Sequence, residues 1–156
     1  MKLAPIARAA LILTLLAPLA ALPACAPVSP PFNPAVQSNT AGLKTDTLAL
    51  LDRAGDVYAG HAAEVDALTA RIDAAAAVAS STPQNTLAAR QWDVLRDPNR
   101  ALYGGTIKLW QAQNTLGLAF REEKKIQIGR AFDYILCLEA NKRRAQSCGD
   151  VQGGGA

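Results

Sequence analysis

The chain has few aromatic side chains, 5% of its 156 residues, and it carries a single histidine, three cysteines and one methionine. One histidine excludes every metal centre or catalytic set that needs two imidazoles. Charge is also sparse at 19%. The apolar fraction of 50% is then too high for a disordered chain. That fraction includes 32 alanines, which favour helix more than they drive burial. No window sustains the two-residue alternation of a β-strand, so an all-α fold is expected.

The N-terminus is organised differently from the rest. Lys2 and Arg8 precede an uncharged apolar run from Ala9 to Leu22, which ends in Leu22-Pro23-Ala24-Cys25. A basic start, a short apolar run and a small-residue exit form the layout of a secretory signal peptide. The run is too short to cross about 30 Å of hydrocarbon, and Pro18 interrupts it. Leu22-Pro23-Ala24-Cys25 resembles the lipobox of bacterial lipoproteins, with Pro23 standing where a small residue is usual. The resemblance implies cleavage before Cys25, a diacylglyceryl thioether on its sulfur and acylation of the new N-terminus. It implies anchoring in a bilayer facing the periplasm. Ala26 in place of Asp favours the outer membrane. An ordinary cleavage around Ala24-Cys25-Ala26 competes with this reading, but it would set Pro27 close behind the cut. An uncleaved anchor is the third reading.

If Cys25 carries lipid, Cys137 and Cys148 remain as a pair in an oxidising compartment. Their bridge would close a short loop worth about 3 kcal/mol and pin the tail to the last helix. Loss of residues 1–24 leaves 14 basic and 13 acidic side chains, and no basic stripe that would suggest a nucleic-acid partner. Lys142-Arg143-Arg144 falls where cations complement a helix C-terminus.

Pro27, Pro30, Pro31 and Pro34 make 25–42 read as the lipidated cysteine and a tether, ahead of a helical domain over 43–148 and a flexible tail over 149–156. Leu51, Tyr58, Val65, Ile72 and Ala79 recur every seven residues, which predicts one long helix over 43–79. At about 55 Å it must either bend near Gly55 and Gly60 or project. Thr82-Pro83 and Asp97-Pro98 read as cap-then-proline starts for helices over 83–96 and 98–113. Gly104-Gly105 inside the latter requires either close backbone contact or a break. Asn114-Thr115 would cap a last helix to Ala140. The expectation is a small four-helix bundle with a long first helix.

No catalytic, cofactor or metal set emerges. His61 and Glu64 share a helix face, but no second histidine joins them. Trp92 with Arg96 and Arg100 is the candidate contact for a protein partner in the envelope. The function read from these features is a non-catalytic binding or scaffolding module, tethered to the bilayer through acylated Cys25. The alternative is a small-ligand carrier with a cavity lined by Tyr58, Trp92 and Trp110. A third reading, an enzyme centred on His61, has no partner residues in the sequence to support it.

Overall fold

The computed structural model describes residues 29–142 and Cys148. Cys25, Arg143, Arg144 and the 149–156 tail lie outside the described residues. Those described are all-helical, with five α-helices and no strand. They are α1 (Pro34–Asp52), α2 (Ala62–Ser81), α3 (Thr86–Arg96), α4 (Tyr103–Gln113) and α5 (Leu118–Asn141).

α1 begins nine residues before the helix that the apolar pattern predicts, within the stretch read as tether. Asn33 caps it, its Oδ1 accepting from the Ala35 N–H at 2.9 Å, and Pro34 occupies the first turn. The buried face is Thr40, Leu43, Thr47, Leu50 and Leu51. Two threonines on that face disguise it as polar. Thr40 is tolerated there because its hydroxyl donates to the Val36 carbonyl at 2.8 Å.

The heptad pattern over 43–79 does not make one helix. The chain bends, as one of the two predicted outcomes required, through two short 3-10 turns at Arg53–Gly55 and Tyr58–Gly60. The backbone groups freed by the bend find partners in the α4–α5 connection. Tyr58 N–H donates to the Asn114 carbonyl (2.9 Å), and Leu116 N–H donates to the Ala54 carbonyl (2.7 Å). The Trp110 indole N–H donates to the Asp56 carbonyl at 3.0 Å. Beyond the bend the stripe holds, with Val65, Leu68, Ile72, Ala76 and Ala79 buried.

Three predicted starts also move. Thr82 closes α2 instead of opening α3, because its hydroxyl bonds back to the Val78 carbonyl at 2.7 Å. Asn85 precedes α3, and its amide donates to the Ala79 carbonyl at the end of α2. Asp97 builds a turn, its Oδ1 accepting from the Asn99 N–H, and the helix starts only at Tyr103. Asn114, in left-handed conformation at φ 69°, ends α4; Gly117 precedes α5.

α1 packs along α5, where Lys44 pairs with Asp133. α2 packs on α3, with Arg96 bridging to Asp73 at 3.1 Å. α3 meets α5 through Trp92 and Phe132, edge to ring at 5.8 Å. α4 closes one end, its fully buried Tyr103 hydroxyl 2.7 Å from Thr69 Oγ1. Gly104 and Gly105 explain how α4 fits. A Cβ on Gly104 would stand 2.1 Å from the Arg96 carbonyl oxygen, and one on Gly105 1.8 Å from that of Arg100. The pair therefore serves close backbone approach in a first helical turn.

Cys137 and Cys148 are joined, with Cα atoms 5.9 Å apart, so the bridge holds Cys148 to the last turns of α5.

Two outcomes follow from this packing. Gly105→Ala should cost at least about 3 kcal/mol in urea unfolding, since backbone must move. Gly42→Ala, with nothing within 4 Å of its added methyl in mid-helix, should gain about 1 kcal/mol. Burial of Tyr103 pushes its phenol up to about 12, opposed in part by the Thr69 hydrogen bond. The unfolded chain therefore releases this proton first. The contribution is intact below about pH 10 and is lost as pH rises from there towards 12. Tyr103→Phe should flatten this alkaline decline in a stability–pH profile.

Candidate functional site

The structure separates the residues that the sequence groups together. Trp92 is 2% exposed and belongs to the core, so it cannot be the contact residue for a partner. Its neighbour Arg96 donates to Asp93 and to Asp73, which tie it down and hold its guanidinium more firmly charged than usual. Arg100 is exposed and lies 3.7 Å from Asp97. Arg96 and Arg100 both remain exposed, but two carboxylates hold Arg96, and Arg100 borders a different feature, described below.

The carrier cavity does not form from the residues proposed for it. Tyr58 and Trp110 pack edge to ring at 5.4 Å, whereas Trp92 packs on Phe132. Trp110 is completely buried and fills space, while Trp92 contributes to the wall of a cavity at the other end of α5 that neither Tyr58 nor Trp110 lines. His61 sits beside the bend with Asp56 and Glu64 each 3.4 Å from a ring nitrogen, and its ring lies 5.6 Å from Trp110. This arrangement braces the turn. Among the described residues no group of three His, Cys, Asp or Glu is placed to hold a metal ion.

The feature best suited to recognition is an open groove of about 600 Å3 between the 98–101 turn, α4 and the start of α5. Its apolar surface comes from Leu109, Ala112 and Phe120, and its cations are Arg100, Lys108 and Lys124. Among the described residues no acid lines it. Lys124 stands 5.3 Å above the Phe120 ring and donates to the Ala101 carbonyl and to Gln127 Oε1, both at 2.8 Å. Lys108 donates to Asn99 Oδ1 at 3.2 Å. Neither lysine has an ion-pair partner among the described residues. Most other basic side chains here do: Lys125 pairs with Asp52 and Glu122, and Arg53 with Glu64.

Sequence reading missed this groove, although a trace of it is visible. Neither Lys108 nor Lys124 has an acid three or four positions away, where a helix would supply a partner. What the sequence hides is that the two stretches line one groove.

The opposite end of α5 receives the incoming chain. Pro30 is buried there, and 30–34 line a cavity of about 270 Å3 with Thr40, Asn85, Ile135 and Glu139. Glu139 Oε1 accepts from the Asn33 N–H at 3.1 Å, and its other oxygen pairs with Lys142. Both side chains of this pair are under one-tenth exposed, at 5% and 8%. Phe120 and Glu139 lie about 28 Å apart along the helix axis, so groove and chain entry occupy opposite ends.

Lys142→Met would leave the Glu139 carboxylate buried without its countercharge. Urea unfolding should show a loss of about 3 kcal/mol. The Glu139→Gln/Lys142→Met double variant should lose less than the single, because no buried charge remains.

No family model, curated protein or solved structure matches the chain, so the groove's purpose is argued from its own chemistry.

Proposed function

We propose that this chain is a lipid-anchored protein facing the periplasm, whose helical unit is a non-catalytic binding or scaffolding module. The observation that carries the reading is the polarity of α5. The N-terminal strap is clamped at one end by Asn33 and Glu139, and the cationic groove opens at the other. An acyl group on Cys25, reached through the lipobox-like Leu22-Pro23-Ala24-Cys25, would act on the clamped end.

The chain length between them supports this. Cys25 is five residues from the buried Pro30, a span of at most about 18 Å fully extended. The domain would therefore be held near the bilayer by one end, much closer than a tether reaching to residue 42 would allow. Its groove would face away from the lipid. Clamping at Asn33 by a backbone N–H and an N-cap supports this reading, since pull from an anchor would act on a fixed point of the bundle.

Growth with an acyl-chain probe tests the anchor. The wild-type chain should take up label and fractionate with membranes, and Cys25→Ala should do neither. A wild-type product that is unlabelled and fully soluble overturns the reading.

A further inference from the structure

We infer that the α4–α5 groove binds an acidic amphipathic helix of a protein partner, its apolar side against Leu109, Ala112 and Phe120 and its carboxylates on Lys108, Lys124 and Arg100. This rests on the reading of the domain as a binding module and names the chemistry of what it binds.

Charge selects the class of occupant. Among the described residues three cations border the groove, no acid lines it, and two of the three cations lack an acidic partner. Long-stem cations beside an apolar floor attract an anionic group and cover the apolar contact at the same time. Lys124 is already positioned for this role. Its bonds to the Ala101 carbonyl and Gln127 fix the ammonium over Phe120, so little side-chain freedom remains to be lost on binding.

Shape selects a protein over a lipid. A single acyl chain gains most from a site that surrounds it, since well-bound small ligands have most of their surface covered. This groove is open along one side, so a chain lying in it would stay half in water. A protein segment brings its own surface to close that side. Its helical form follows from the walls. The described residues offer no sheet edge for an added strand, while α4 and α5 form a trough that takes a helix. α4 is about 16 Å long, which matches about three turns of a partner helix with apolar residues at i, i+3, i+4 and i+7.

The test is selection of helical peptides of about 12 residues from a displayed random library on the full-length protein in detergent. Winners should be enriched in Asp and Glu on one face and Leu, Ile or Phe on the other. In titration the best of them should weaken at least about tenfold against Lys108→Glu/Lys124→Glu, and should weaken with added salt. A charge-inverted version of the same peptide should recover binding to that variant, which a misfolded variant could not show. Winners with no acidic excess over the library, or equal affinity for the double variant, overturn the inference. So does lysine-dependent binding of phosphatidylglycerol vesicles by the Cys25→Ala chain without acidic-peptide selection, which would assign the groove to a membrane surface. These readouts do not depend on acylation, so their failure is distinct from failure of the anchor.

Discussion

The fold turns on one joint, where the bend between α1 and α2 and the connection between α4 and α5 satisfy each other's backbone. A bend inside an amphipathic stretch frees N–H and C=O groups that water cannot fully reach, and a buried group left unpaired is costly. Here Ala54, Asp56 and Tyr58 find Leu116, Trp110 and Asn114. The Trp110 ring is completely buried beneath this joint, with Tyr58 on its edge and His61 beside it. The bend lets the chain reverse, so α2 can lie on α1 and α3 while α5 packs along α1. Without it the same heptads would extend beyond the width of so small a domain.

The two ends of the bundle carry different electrostatics. At the chain-entry end a buried carboxylate meets a lysine and a backbone N–H, so charge is balanced internally and supports a fixed strap. At the groove end, among the described residues, the lysines meet neutral oxygens only, from Ala101, Asn99 and Gln127. Neutral acceptors orient an ammonium but leave its charge uncompensated, so the field stays available to a partner. One end is thus self-contained, and the other leaves positive charge beside apolar surface.

Parts of this architecture were legible in the residues. The 65–79 stripe became the buried face of α2, and the leftover cysteines became a bridge. Other parts were disguised. α1 hid because Thr40 and Thr47 sit on its core face, and hydropathy counts a threonine as polar whether or not its hydroxyl is satisfied. Thr82 and Asp97 have side chains suited to an N-cap, and each used the same oxygen for a different local bond. Gly104-Gly105 announced that something came close, without saying that it was the backbone of the preceding turn.

Composition and periodicity by themselves determined that the domain is helical, because small and unbranched residues at 3–4 spacing favour that conformation locally. The order of the residues likewise determined which cysteines could pair once an exported chain and a modified Cys25 were assumed. Only tertiary structure decided where the first long pattern breaks, since the bonds that make a break affordable come from residues more than fifty positions away. It alone removed Trp92 from the surface and brought Lys108 and Lys124 to the border of one groove. Burial and unpaired charge are properties of what lies across the gap between helices, and a linear string does not contain that distance.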